Sequence, residues 1–300
     1  MTSDCGSVPS MCGIPSKQID DPLRTSRPGE NDPYGVELVS QPLPAVGFLT
    51  DATICIGCKA CEVACKQWNQ LPADSQTTRF EMTGFSYDNT VDLGATTWRH
   101  VAFVERPSRD GIAWLMLSDV CKHCVHAGCL DACPTGAIVR TEFGSVVIQD
   151  DVCNGCGYCV PACPFGVPQL SDADGGSHKC TLCYDRLRGG LAPACATTCP
   201  TGSIRFGAVE ELRGAGRERV ATLKAQGLDD ARLYGDDELG GSGGIGGLNA
   251  MFVLNGPPDA FNLPARPRLP RLNIVPSAAA TFVAAAGYCL VAAFSFRRRV

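Results

Sequence analysis

The stretch DATICIGCKACEVACKQWN, residues 51–69, places four cysteines, Cys55, Cys58, Cys61 and Cys65, within eleven positions. Three further runs follow: CKHCVHAGCLDACP (Cys121, Cys124, Cys129, Cys133), CNGCGYCVPACP (Cys153, Cys156, Cys159, Cys163) and CTLCYDRLRGGLAPACATTCP (Cys180, Cys183, Cys195, Cys199). Sixteen of the 19 cysteines fall in these four runs. Sulfur so concentrated either closes disulfides or grips metal. Small secreted disulfide scaffolds are short and scatter their cysteines between loops. These runs are dense, and they sit in a chain of 300 residues, long enough for a core of its own.

Spacing narrows the choice of metal. Structural zinc sites draw two Cys-x-x-Cys pairs from separate knuckles, with a longer run between them. A C-x2-C-x2-C run instead brings three thiolates from one tight loop, which suits three corners of an iron-sulfur cube. The remaining cysteine, three residues on, opens a helix pointing away from that loop and reaches only a second cube. This is the pattern of bacterial ferredoxin runs, where the fourth cysteine ligates the other cluster and a proline turns the chain out of the site. Three of the four runs end in Cys-Pro, and CPTGAIVR (133–140) is nearly repeated by CPTGSIRF (199–206), which marks duplication of one supersecondary unit.

Runs two and three lie 19 residues apart and read as one ferredoxin unit, leaving runs one and four to build another around it. Crossed ligation then gives four sites: Cys55, Cys58, Cys61 with Cys199; Cys65 with Cys180, Cys183, Cys195; Cys133 with Cys153, Cys156, Cys159; and Cys121, Cys124, Cys129 with Cys163. Each set offers iron four thiolates, so four [4Fe-4S] clusters are expected.

Residues beside the ligands are candidates for tuning potentials. Gly57, Gly155 and Gly157 let the main chain approach a cube and offer N–H donors, or simply make the turn. Lys59, Lys122 and Lys179 sit between or beside ligands, where solvated side chains are the default expectation. His123, His126 and His178 invite a metal reading, but every set already has four cysteines, so packing or hydrogen bonding is expected of them. His100, in TTWRHVAFVE, is placed on a strand beside Trp98. Cys5, Cys12 and Cys289 lack ligand spacing.

The elements that position these runs follow. Residues 1–45, rich in Pro, Ser, Gly and Asp, read as an extended arm without a signal peptide or twin arginine, so export would need a signal on a partner. Residues 46–206 hold the clusters, with an insert over 66–120 whose TTWRHVAFVERP and IAWLMLSD read as strands. Residues 207–265 form a cap and subunit-docking segment: helical spacing over 208–234, a glycine-rich loop at 240–247, then NAMFVLN as a strand. Residues 266–300 are a basic linker and a single transmembrane helix over 277–296, twenty residues without a charge and about 30 Å long as a helix. Arg266, Arg268 and Arg271 precede that span and Arg297, Arg298 and Arg299 follow it more closely, which favours a cytoplasmic C-terminus and an extracytoplasmic cluster domain.

With 26 basic and 31 acidic residues, net charge −5, and no Lys/Arg stripe outside the C-terminal region, nucleic acid is set aside as a partner. Nor is there a Ser-His-Asp set, a phosphate loop or a dinucleotide glycine motif, so no catalysis is expected of this chain alone.

CKACEVACKQWN, DVCKHC, CNGCGYCVPACPFGVP and the stretched KCTLCYDRLRGGLAPAC…CPTGSIRFG, in this order, resemble the iron-sulfur (beta) subunits of formate dehydrogenases over about residues 46–265. The resemblance implies an α+β fold of two ferredoxin-like double-cluster modules in pseudo-twofold arrangement, with an inserted β segment and a C-terminal membrane helix. It implies an electron wire from a molybdenum or tungsten pterin catalytic (alpha) subunit to a membrane cytochrome b or quinone-reactive subunit. The Cys55 set would lie nearest the catalytic subunit and the Cys121 set nearest the membrane. Related nitrate reductase subunits replace one ligand of the third run by tryptophan; here that run is intact. Equivalent subunits serve polysulfide, thiosulfate and dimethyl sulfoxide reductases and membrane hydrogenases, and these form the alternative.

Overall fold

In the computed structural model, residues 44–72, 92–108, 111–236 and 244–297 are described. The expected N-terminal arm lies outside them up to residue 43, with Cys5 and Cys12, as do residues 73–91 of the insert, the start of the glycine-rich loop, Arg298 and Arg299.

The chain enters a strand β1 (Val46–Asp51), then runs through the first cysteine loop into helix α1 (Ala60–Asn69). A long hairpin follows, β2 (Arg99–Ser108) with β3 (Gly111–Val120), in continuous antiparallel register from Arg99 opposite Val120 to Ser108 opposite Gly111. These are the two strands read from the insert. The cysteine-rich centre has short elements only: α2 (Gly128–Asp131), β4 (Ile138–Arg140), β5 (Val146–Ile148), α3 (Cys159–Ala162), β6 (Gln169–Leu170), β7 (Ser177–His178), α4 (Tyr184–Arg188) and α5 (Ala194–Thr197). Then come β8 (Ile204–Ala208), α6 (Val209–Ala225), β9 (Ala231–Tyr234), β10 (Ala250–Asn255) and α7 (Ile274–Arg297).

Four strands form one mixed sheet in the order β8-β1-β10-β9, with β1 parallel to β10 and the other pairs antiparallel. Side chains alternate across a strand with period two, and this sheet is buried on both faces. Leu49, Met251 and Val253 pack with Val209, Leu212 and Leu223 of α6. Phe48, Ala250, Phe252 and Leu254 turn the other way, into a core that holds Cys61, Cys121, Cys180 and Cys195. Burying each large apolar side chain contributes on the order of 2 kcal/mol. The sheet is thus the floor under the cysteine runs, and α6 covers its back.

The duplicated octapeptides fold alike. Cys133-Pro-Thr-Gly turns at Gly136 (φ 71°) into β4, and Cys199-Pro-Thr-Gly turns at Gly202 (φ 66°) into β8.

Two expectations need correction. The helix read over 208–234 ends at Ala225, because Gly227 takes φ 89°, a left-handed conformation that glycine adopts without strain. Residues 231–234 instead form edge strand β9, where Ala231 and Tyr234 are buried against β10. Lys122 and Lys179 are not solvated: each is 2% exposed. Lys122 is neutralised by Asp119 and lies 5.1 Å and 5.6 Å from the ring centres of Phe165 and Phe252. The Lys179 ammonium donates to the carbonyls of Val146 and Cys180.

The NAMFVLN strand is present as β10, and the apolar C-terminal span lies inside α7. An 18-residue stretch of the helical span Pro270–Arg297 has a mean hydropathy of 1.8 and is 0% buried. The 24 residues of α7 give a length of about 36 Å, enough for a bilayer core.

Candidate functional site

The sixteen run cysteines are all free thiols, gathered into four groups. Cys55, Cys58, Cys61 and Cys199 line one cleft, closed by Ser118, Thr201, Ser203 and Ile204. Cys133, Cys153, Cys156 and Cys159 line another, with Thr135, Asn154 and Ser177. Cys65 faces Cys195 and Cys183, and Cys180 is in electrostatic reach of Cys65, Cys183 and Cys195. Cys124 is surrounded by Cys121, Cys163 and Cys129. The two clefts bring together the cysteines of the Cys55 and Cys133 sets. Contacts also cross between the groups, since Cys61 feels Cys195, and Cys180 feels Cys121.

One backbone device recurs in all four runs. The residue before the second cysteine takes a left-handed conformation: Gly57 (φ 64°), His123 (φ 43°), Gly155 (φ 70°) and Leu182 (φ 62°). It curls the loop so that successive sulfurs turn to the same side. For a residue with a Cβ this conformation costs about 1 kcal/mol, offset here by local anchoring. His123 is buried, and its Nδ1 accepts the Val146 N–H at 3.1 Å; Leu182 is fully buried in the core. Glycine therefore makes the turn, and the Gly57 N–H also bonds the Cys55 sulfur.

Desolvation sets the electrostatics. Burial pushes the Cys61 and Cys183 thiols up to about 11, and those of Cys65 and Cys129 to about 12. Neighbouring thiolates add to the rise at Cys65, where Cys195 is the first of them. Four thiolates in so dry a place repel one another unless a cationic group lies between them. Two sulfurs differ. At Cys133 and Cys199 burial is outweighed by hydroxyl and backbone N–H donors, and the thiols are lowered. Donors come from Thr135, Ile138 and Ala137 for Cys133, and from Ile204, Thr201 and Ser203 for Cys199. The repeated Cys-Pro-Thr-Gly unit is thus an N–H nest that favours a sulfur anion.

Several contributors carry no spacing signal. Ser118 Oγ lies 3.2 Å from Cys61 Sγ, and Ser177 Oγ 3.2 Å from Cys159 Sγ. Arg99, 1% exposed, stands among Cys195, Cys61, Cys180 and Cys65. Only the fold brings these groups to the sulfurs. His100 is buried on β2 beside Glu62, 3.7 Å away, and His178 pairs with Asp174 at 2.9 Å.

The donor sets fit polynuclear clusters. The Cys55 and Cys133 sets are each four soft sulfurs facing a shared gap, and among the described residues no three His, Cys, Asp or Glu side chains converge where one metal ion would sit. A tetrahedral zinc would draw its sulfurs to about 3.8 Å from one another.

Residues 112–209 match the family model of the 4Fe-4S dicluster domain. The chain is 44% identical over 228 residues to a formate dehydrogenase iron-sulfur subunit of Haemophilus influenzae, covering 75% of this chain and 70% of the relative. It is 46% identical over 211 residues to the formate dehydrogenase-O iron-sulfur subunit of Escherichia coli, covering 70% and 67%. The chain belongs to the formate dehydrogenase iron-sulfur subunit family. A third relative, a subunit of the anaerobic dimethyl sulfoxide reductase of Escherichia coli, is 38% identical over 170 residues, covering 56% of this chain and 75% of the relative. In this member of the family the dicluster segment spans runs two, three and four, while run one arrives from outside it.

Proposed function

We propose that this chain is the electron-transfer subunit of a formate-oxidising complex and carries four [4Fe-4S] clusters. The sets that would hold them are Cys55, Cys58, Cys61, Cys199; Cys65, Cys180, Cys183, Cys195; Cys133, Cys153, Cys156, Cys159; and Cys121, Cys124, Cys129, Cys163. The observation that carries this reading is the gathering of cysteines from distant runs into four four-sulfur groups. Each cluster, when bound, supplies one-electron redox chemistry. The protein's own task is to fix the sites in a row, keep them dry and set their potentials.

Both ends of that row have supporting features. At the Cys55 set, Cys58 is exposed and Ile56 is 60% exposed, a surface suited to docking of a molybdopterin catalytic (alpha) subunit that delivers electrons. At the Cys121 set, the foot of α7 is held against α2: Arg271 Nη1 lies 3.1 Å from Asp131 Oδ2, and Pro270 Cδ would stand 3.4 Å from a Cβ on Gly128. The Cys121 set therefore lies at the root of the apolar helix, where a membrane cytochrome b or quinone-reactive subunit would take electrons. We place the chain at the cell membrane as a single-pass subunit with its cluster domain on the extracytoplasmic side.

The 44% and 46% identities to the formate dehydrogenase subunits of Haemophilus influenzae and Escherichia coli, against 38% to the dimethyl sulfoxide reductase subunit, support formate as the partner's substrate. The test is formate added anaerobically to the purified complex, followed by electron paramagnetic resonance. The proposal expects cluster signals to grow within the turnover time. Clusters that stay oxidised with formate, and are reduced through another substrate of the complex, would contradict it.

A further inference from the structure

Arg99 opens β2 and is one of the largest fully buried side chains. Its Nη1 donates to Ser118 Oγ at 2.9 Å and to the Ser118 carbonyl at 3.4 Å, and the guanidinium lies 4.8 Å from the centre of the Phe48 ring. Nε and Nη2 are buried without a hydrogen-bond partner. Among the described residues no carboxylate forms an ion pair with it. A buried, unpaired cation costs several kcal/mol, so its place in the fold demands a negative partner.

The sulfurs are that partner. Arginine stays charged in proteins, and Cys195, Cys61, Cys180 and Cys65 are the sulfurs within electrostatic reach of its guanidinium. Cys61 belongs to the first set; Cys65, Cys180 and Cys195 belong to the second. The cation thus stands between two sites. Ser118 extends its reach. The serine oxygen accepts from Arg99, which leaves its own hydrogen for Cys61 Sγ at 3.2 Å.

We propose that Arg99 is a fixed cation shared by the Cys55 and Cys65 sites, which raises the reduction potentials of both clusters together. The inference rests on the reading that these sites hold [4Fe-4S] clusters. An added electron makes a cluster more negative, and a cation in a low-dielectric interior favours that state far more than it would in water. The Cys133 site, whose thiols do not figure among the sulfurs facing Arg99, is the internal control.

The test uses Arg99→Gln and Arg99→Lys in the intact complex, with iron content and an anaerobic redox titration followed by electron paramagnetic resonance. Arg99→Gln is expected to weaken electron binding at least tenfold at both sites, about 59 mV for a one-electron couple. Potentials of the Cys133 site stay within about threefold of the parent. Arg99→Lys keeps the charge and returns both sites to within about threefold. Unmoved potentials in an iron-replete Arg99→Gln variant, or a shift at one site alone, overturn the proposal. If Arg99→Gln fails to retain iron, Arg99→Lys decides. Full iron with near-parent potentials supports the charge role, and lost iron or a tenfold fall overturns it. A parent complex without clusters at these sites would sink this inference together with the reading beneath it.

Discussion

The indole Nε1 of Trp68 donates to Asp185 Oδ2 at 2.8 Å, joining the helix of the first cysteine run to a helix inside the fourth across 117 positions of sequence. The Arg186 guanidinium stacks over the same ring, 4.2 Å from its centre. At so exposed a place these contacts supply about 1 kcal/mol each. Their value is in register: they set α1 against the fourth run, so that Cys65 meets Cys183 and Cys195. Cysteines remote in sequence share sites because the side chains around them clasp one another.

Replacing Cys199 with Ser tests that crossing. The variant is expected to lose or alter the cluster signal of the Cys55, Cys58, Cys61 site while the Cys180, Cys183, Cys195 signal persists. Electron paramagnetic resonance of the two variants Cys199→Ser and Cys195→Ser separates them. Alteration confined to the Cys180 site in Cys199→Ser would break the assignment.

Glycines at the site act in two physical ways. A Cβ on Gly128 would stand 2.4 Å from the Ala162 carbonyl, so Gly128→Ala must push α2 from α3. We expect about 2 kcal/mol of destabilisation, as for overpacked cores, with impaired iron loading at the Cys121 set. Gly136 has φ 71° and nothing within 4 Å of an added methyl, so Gly136→Ala costs only the left-handed strain, about 1 kcal/mol. Thermal unfolding with iron analysis on both variants checks the order; equal losses would refute it.

Ser177→Ala removes the hydroxyl 3.2 Å from Cys159 Sγ. A ligating thiolate carries no proton, so the serine is the donor there, and its bond favours the more negative, reduced state. Loss of roughly 1 kcal/mol of that preference corresponds to a potential about 40 mV lower at the Cys133 site. Redox titration reads it. An unchanged or raised midpoint would show that the hydroxyl does not tune this site.

Deleting the chain after Asn273 removes α7, whose residues are exposed and apolar. When the chain is expressed without its partners, the truncated form is expected in the supernatant after alkaline extraction of membranes, with the full chain in the pellet. Equal partition of both would assign membrane attachment to another part of the molecule.

Much of this was legible in the sequence because the signals are local. Cysteine spacing determines which thiols share a loop, and the continuous apolar run in NAMFVLN reads as a strand, which the fold buries on both faces. Long-range effects were hidden. Lys122 and Lys179 read as surface residues, yet the rings of Phe165 and Phe252 and the Val146 carbonyl come to them from distant segments, while Asp119 and the Cys180 carbonyl are near in sequence. Residues 231–234 carry helical-looking charge and leucine, yet they sit at a sheet edge, because pairing with β10 outweighs propensity once Gly227 has ended α6. Arg99 belongs to a hairpin whose sequence says nothing of sulfur; the hairpin lays it beside four cysteines only in the folded chain.

Iron and acid-labile sulfide counted per chain in the anaerobically purified protein, with Mössbauer spectra to type the clusters, bear most directly on the central claim. Four sets of four thiols predict about sixteen irons, matched by as many sulfides, all in [4Fe-4S] form. Four irons or fewer, or zinc in their place, would contradict the account.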